Sequence, residues 1–121
     1  CESGSIWESI KFASDEQLNN LITIVDMNRL SEMQIMKDDQ DLIIKNKFES
    51  FGWTGLIVDG HSIDELINNL TLLINNHSNK PKFLIANTIK GKGVSFMENK
   101  VEWHHKAPKP EQFEIALKEY E

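Results

Sequence analysis

The feature that most constrains the fold is the alternation of short apolar runs with amphipathic helical segments along the chain. The apolar runs have strand length, are rich in branched side chains, and occupy Leu21–Asp26, Trp53–Val58 and Lys82–Thr88. Helical spacing of apolar residues before, between and after them gives the order α-β-α-β-α-β-loop-α. Such an order favours right-handed crossovers. We therefore predict an α/β fold, a parallel sheet with helices on both faces.

Local signals indicate where the helices begin and end. Ser5–Glu8 and Ser62–Glu65 each place a serine three residues before a glutamate, which is the pattern of a capping box. Gly52 is a stop signal for a helix predicted over 41–51, and Pro110 suits the first position of the last helix. In the helix after Ser62 we expect six apolar side chains to face the sheet: Ile63, Leu66, Ile67, Leu70, Leu73 and Ile74.

Length and charge exclude several classes of protein. The 121 residues suffice for one domain, and the net charge of −6 argues against binding to nucleic acid or to an anionic membrane. No apolar run approaches the roughly 18 residues that span a bilayer. A single cysteine, Cys1, excludes an internal disulfide and fits a reducing compartment, so we expect a cytoplasmic protein.

The start of the chain indicates a piece of a longer polypeptide. The first residue is Cys1, not methionine, and the entry to a helix follows almost at once. Three strands also make a thin sheet. We therefore expect at least one further strand upstream, with residues 1–121 as the C-terminal portion of a single domain.

The stretch Ile85–Pro108 is the strongest indication of a functional site. It leaves an apolar strand, turns through two glycines and two lysines, and continues as a long loop with adjacent histidines. Ligands of open α/β sheets bind beyond the carboxyl ends of the strands, and long loops without secondary structure are usually functional. The lysines of this region could form an ordinary solvated surface, or they could attract a phosphorylated ligand locally on an otherwise negative protein.

Four segments resemble the thiamine-diphosphate-binding domain of transketolase, of the type encoded as a separate N-terminal subunit. They are Ser3–Ala13, Leu18–Leu30, Phe48–Gly60 and Ala86–Pro108, and with their spacing they cover nearly the whole chain. The resemblance implies a PP-type cofactor domain and a transferase of carbohydrate metabolism, in the pentose phosphate reactions. It would move a two-carbon ketol unit from a ketose, or its phosphate, to an aldose, or its phosphate.

The resemblance also implies a metal site for Mg²⁺ or Ca²⁺, which would hold the cofactor diphosphate. Asn28 matches the asparagine ligand of the family, and Leu30 would offer its backbone carbonyl. Both are hard oxygen ligands of the kind these cations prefer. The Gly-Asp-Gly turn that carries the family's aspartate ligand is absent, and we expect it before Cys1. From the residues alone, the favoured interpretation of Asn28 is a turn residue at the end of a strand.

The segment Trp103–Pro108 matches the histidine motif of the family. His104 takes the position of the catalytic histidine near the cofactor and the sugar donor, and His105 replaces a glycine. An imidazole can donate a hydrogen bond or shuttle a proton near neutral pH. Lys90 and Gly91 are expected to line the cofactor crevice, although the same residues could form an ordinary solvated turn.

Partners follow from the same resemblance. The glutamate that activates the aminopyrimidine belongs in this family to another domain. We therefore expect as partner a pyrimidine-binding C-terminal transketolase subunit, in a homo- or hetero-oligomer. The chain alone would then be inactive. Ser3 stands where the family commonly has an interface glutamate, and that departure puts dimer coupling in question.

Three alternatives remain open on the sequence. Deoxyxylulose-phosphate synthase and the 2-oxo-acid dehydrogenases use related cofactor domains with other substrates. A non-catalytic structural remnant would explain Ser3. A receiver-like signalling domain would use Asp26 or Asp59 as phosphoacceptor, with Thr88 and Lys90 as switch residues.

Overall fold

A computed structural model describes residues 3–31, 34–35 and 39–120. These residues form two compact units, one made of 3–27 and 39–87 and the other of 28–31, 34–35 and 88–120. None of the described helices is long and apolar enough to cross a membrane. In chain order the elements are α1 (Gly4–Asp15), β1 (Ile22–Met27), β2 (Leu30–Ser31), β3 (Gln34–Ile35), α2 (Gln40–Ser50), β4 (Thr54–Asp59), α3 (Ile63–Asn75), β5 (Lys82–Asn87), a 3₁₀ turn (Val101–Trp103) and α4 (Pro110–Tyr120).

The first unit is built on a parallel sheet of three strands in the order β1-β5-β4. The central strand β5 pairs with both neighbours, so that Ile85 lies opposite Val25 on one side and Ile57 on the other. Residues 81–86 are all buried. The predicted α/β fold with a parallel sheet is confirmed.

Two apolar clusters cover the two faces of this sheet, as expected for alternating side chains on a strand. On one face, Phe83 of β5 packs against Phe48 of α2, with ring centroids 4.8 Å apart. The indole N–H of Trp53 donates to the carbonyl of Ile10 in α1 at 2.9 Å. On the other face, Leu84 packs with Leu73 of α3. Helices therefore lie on both faces.

The two predicted capping boxes differ from the structure. Helix α1 begins at Gly4 with Ser3 as N-cap, so the box predicted at Ser5 is wrong, and the Ser5 hydroxyl instead hydrogen-bonds that of Ser3 at 2.7 Å. At Ser62 one half of the box is present, because the hydroxyl accepts the N–H of Glu65 at 3.3 Å. The Glu65 carboxylate accepts the N–H of Asp59 at 3.0 Å, which ties the helix to the end of β4.

Half of the apolar face predicted for α3 is exposed. Leu66, Leu70 and Leu73 pack on the sheet, as predicted. Ile63, Ile67 and Ile74 are 66%, 59% and 64% exposed, so their predicted burial is wrong. The apolar arc of this helix is wider than the strip that the sheet covers.

The second unit contains a short antiparallel pair that the sequence did not indicate. The sequence analysis assigned no strand to the region after Met27, but β2 and β3 pair there with Leu30 opposite Ile35. Such two-residue pairs are too short to produce a periodic pattern. Residues 88–100 contain neither helix nor strand, and the 3₁₀ turn interrupts the long loop predicted within Ile85–Pro108.

Replacement of Gly52 by alanine is expected to lower the free energy of unfolding by about 1–2 kcal/mol, because Gly52 has φ +88° in the left-handed region. An added Cβ would also meet the hydroxyl oxygen of Ser14 at 2.9 Å. Urea denaturation gives the measurement. Gly4→Ala is the matched control, since an added Cβ there meets no atom within 4 Å. If Gly52→Ala unfolded at the same urea concentration as the control, the predicted backbone strain would be contradicted.

Candidate functional site

The turn that follows β1 fixes the side chain of Asn28. Its amide oxygen accepts the backbone N–H of Leu30 at 3.0 Å, and the residue between them, Arg29, has φ +59°. Asn28 and Leu30 are half-buried. The turn role that the sequence left open for Asn28 is therefore present. An amide oxygen carries two lone pairs, so a turn bond of this kind is compatible with metal ligation.

The glycine-lysine turn is held by its own backbone. The carbonyl of Lys90 accepts the N–H of Asn99 at 2.9 Å, and the carbonyl of Gly91 accepts the N–H of Val94 at 3.1 Å. Gly91 has φ +74°, and a Cβ there would lie 2.8 Å from the carbonyl oxygen of Met97. Glycine is thus required for the turn itself, whether or not a ligand approaches it.

Carboxylates bind the backbone of the same loop at two points. The N–H of Gly93 donates to Glu98 at 3.0 Å. The N–H and hydroxyl of Ser95 donate to the two carboxylate oxygens of Glu119 in α4, at 2.6 and 2.7 Å. Both hydrogen bonds lower the pKa of Glu119, and the bond from the Ser95 hydroxyl has the larger effect. The loop is therefore tied to α4 while that carboxylate is ionised, and the tie weakens as pH falls through the lowered pKa.

An aromatic contact anchors the segment that leads to the histidines. The indole N–H of Trp103 donates to the carbonyl of Phe96 at 3.0 Å, and their rings lie 5.4 Å apart. The ammonium of Lys106 lies 5.1 Å from the Trp103 ring. The sequence analysis did not predict this contact between Trp103 and Phe96. The tryptophan beside the histidine pair was the available signal.

His104 and His105 are both exposed, and their rings are 4.4 Å apart at an interplanar angle of 82°. The backbone N–H of His104 donates to the carbonyl of Val101 at 2.9 Å, which closes the 3₁₀ turn. Neither imidazole hydrogen-bonds to another residue that the structure describes. Both rings are thus available to a ligand from solvent.

The predicted site residues fall within one compact unit. The second unit contains all five of them: Asn28, Leu30, Lys90, Gly91 and His104. In the first unit, a groove of about 460 Å³ runs between α1 and β1 and includes Asp26 but none of these five. Among the described residues, no group of three or more His, Cys, Asp or Glu is placed to hold a metal ion. A metal site here would depend on amide and carbonyl oxygens.

Asn87 is a residue that the sequence reasoning missed. It ends β5 and lies in register with Met27 of β1 and Asp59 of β4, at the carboxyl edge of the sheet. Its amide nitrogen donates to Asp41 at 3.0 Å, whereas its buried amide oxygen has no partner among the described residues. The sequence feature that could have indicated Asn87 is its position as a polar residue at the end of a buried apolar run.

The strand order excludes the receiver-like alternative. In that fold the strands follow the order 2-1-3-4-5. Here the last strand of the sheet along the chain, β5, lies between β1 and β4. Asp26 and Asp59 therefore stand on strands that are separated by β5.

Comparison with known proteins gives consistent matches. The family model "Transketolase, thiamine diphosphate binding domain" matches residues 1–120. Transketolase of Homo sapiens is 40% identical over 105 residues, which are 85% of this chain and 16% of that protein. An apulose-4-phosphate transketolase subunit from Actinobacillus succinogenes is 38% identical over 120 residues, or 96% and 42%. A crystal structure of transketolase from Campylobacter jejuni superposes with a TM-score of 0.82 at 27% identity, over 97% of this chain and 18% of that one. The chain thus spans less than half the length of these relatives.

Proposed function

Because this chain belongs to the transketolase family and matches its thiamine-diphosphate-binding domain, we propose that it binds the cofactor diphosphate and the associated metal ion in an active transketolase. Residues 1–121 would be the C-terminal portion of a single cofactor-binding domain. The reaction would transfer a two-carbon ketol unit from a ketose phosphate to an aldose phosphate. The observation that carries the proposal is the turn from Asn28 to Leu30, directly after β1.

Asn28 and Leu30 are the proposed protein ligands of Mg²⁺ or Ca²⁺. Their amide and backbone carbonyl oxygens suit hard cations, which are usually completed by phosphate oxygens and water. The hydrogen bond from the Leu30 N–H orients the Asn28 amide at 3.0 Å. The 121 residues contain no Gly-Asp-Gly, so the carboxylate ligand would come from outside them.

His104, Lys90 and Gly91 are the proposed contacts to cofactor and sugar. When bound, thiamine diphosphate supplies the carbanion chemistry that breaks and remakes the bond next to the ketose carbonyl. The exposed imidazole of His104 would donate a hydrogen bond to a sugar hydroxyl or move a proton at that oxygen. The ammonium of Lys90 would neutralise diphosphate charge, and the Gly91 turn would hold its backbone beside the cofactor.

A second polypeptide completes the proposed site. Two relatives are named as a subunit of apulose-4-phosphate transketolase. By analogy with that name, this chain would pair with a pyrimidine-binding C-terminal transketolase subunit, in a homo- or hetero-oligomer. The partner would supply the glutamate that activates the aminopyrimidine.

Replacement of Asn28 by alanine in the intact protein with its partner is expected to weaken the affinity for thiamine diphosphate about 10- to 100-fold in the presence of Mg²⁺. The variant loses the proposed metal ligand together with the turn acceptor. Isothermal titration calorimetry gives the measurement and does not require turnover.

Two further variants serve as controls for this prediction. Asn46→Ala removes an exposed asparagine of α2 and should bind the cofactor like the unchanged protein. Asn28→Asp keeps an oxygen acceptor for the Leu30 N–H and should restore much of the affinity. Unchanged affinity in Asn28→Ala would remove Asn28 from the metal site.

A further inference from the structure

A second pocket lies at the amino ends of β1 and β5. It has a volume of about 340 Å³ and includes Ile22 at the start of β1 and Ile74 near the end of α3. The full length of β1 separates Ile22 from Asn28, the proposed metal ligand that follows the carboxyl end of the strand. The other lining residues are polar, and none is acidic: Asn19, Asn20, Asn76, His77, Ser78 and Lys82.

Lys82 places a buried cation in this pocket. The residue is only 4% exposed, and its ammonium donates to the backbone carbonyl of Asn19. No carboxylate among the described residues forms an ion pair with it. An ammonium has three donors, and burying an unpaired charge is unfavourable. An anion in the pocket would neutralise this charge.

Ser78 adds an unsatisfied hydroxyl to the wall of the pocket. Its backbone N–H donates to the side chain of Asn76 at 3.0 Å, so the loop after α3 is held by a local turn. Its hydroxyl oxygen is buried and has no hydrogen-bond partner within the part of the chain that the structure describes. Buried hydroxyls are normally satisfied. This hydroxyl therefore also indicates a missing polar occupant.

We propose that this pocket binds the phosphate group of a small phosphorylated molecule. Lysine is a common phosphate ligand, and hydroxyl, amide and imidazole groups provide further donors. The cation and the absence of acidic residues from the described lining argue against a metal ion as occupant. The volume of about 340 Å³ is at the small end for ligand pockets, which favours a compact ligand over a nucleotide. None of the residues that line this pocket is among those proposed to bind the cofactor.

The test measures phosphate binding to the intact protein by calorimetry and by thermal unfolding at constant ionic strength. Inorganic phosphate and ribose 5-phosphate are the two probes, and potassium chloride is the control for salt. Saturable binding of at least one probe is expected. The probe with the higher affinity shows whether the pocket prefers the free phosphate ion or a sugar phosphate. Lys82→Met should weaken this binding about tenfold or more, because it removes a charge-assisted hydrogen bond.

Two further variants keep the test interpretable. Ser78→Ala deletes one hydroxyl and should weaken phosphate binding less than Lys82→Met does, while it leaves the buried charge in place. Asn28→Ala should retain phosphate binding at this pocket, which separates it from a diphosphate site. Circular dichroism verifies that each variant is folded.

Three results would overturn the proposal. The first is that neither probe has a saturable effect beyond that of potassium chloride. The second is that folded Lys82→Met binds phosphate as tightly as the unchanged protein. The third is that binding is lost in Asn28→Ala but kept in Lys82→Met. The last result would assign the phosphate to the cofactor site.

Discussion

Replacing His104 by alanine is expected to lower kcat of the assembled enzyme about 10²- to 10⁴-fold, the range for loss of a positioned acid or base. The imidazole is exposed, and it has no hydrogen bond to another described residue that would give it a structural role. A fall of kcat and kcat/KM together is expected, because the lost contact would act mainly in the transition state. Steady-state ketol transfer over a range of donor concentrations gives both constants.

His105→Ala is the matched control for this prediction. The two rings share one segment, lie 4.4 Å apart and are both exposed. The resemblance implies that the family has glycine at position 105, so the loss of this imidazole should leave kcat close to that of the unchanged enzyme. Equal losses in both variants would indicate a general disturbance of the segment. Full activity of His104→Ala would exclude a catalytic role for His104.

The intact protein is expected to catalyse no ketol transfer by itself and to become active when its pyrimidine-binding partner is added. The 121 residues match only 42% of the length of the Actinobacillus succinogenes relative and 16% of the human transketolase. On the proposed function, the groups that activate the aminopyrimidine would come from outside these residues. The expected effect is a change from no detectable turnover to turnover at the rate of the assembled enzyme.

The measurement compares ketol transfer by each polypeptide separately and by the two together, with thiamine diphosphate and Mg²⁺ present. A titration of one polypeptide with the other should reach a plateau at a fixed ratio. Activity without the partner would refute the divided site. Absence of activity in the complex, with the cofactor bound, would favour the structural remnant suggested by Ser3.

Several features of the fold could be predicted because they depend on local patterns. The three strands of the sheet coincide with mainly apolar runs, and the stop at Gly52 follows from a residue type that tolerates a positive φ. Pro110 begins α4, as predicted, because its fixed φ suits a first turn. The histidine and asparagine positions of the candidate site came from the motif resemblance, and their roles stay predictions.

Other features depend on contacts between distant parts of the chain. The exposed side of α3 could not be predicted, since periodicity gives the width of the apolar arc but not the strip that the sheet covers. The side-chain partners of Asn87 depend on where β5 ends relative to α2.

The sequence by itself determined the alternation of strands and helices, the parallel sheet and membership of the transketolase family, because periodicity, turn residues and motif spacing are local properties. The tertiary structure alone decided that β5 lies between β1 and β4, that Lys82 is a buried cation, and that the hydroxyl of Ser78 is buried with no partner among the described residues. Strand order and burial arise from pairing and packing between residues far apart in the chain, and no local pattern encodes them.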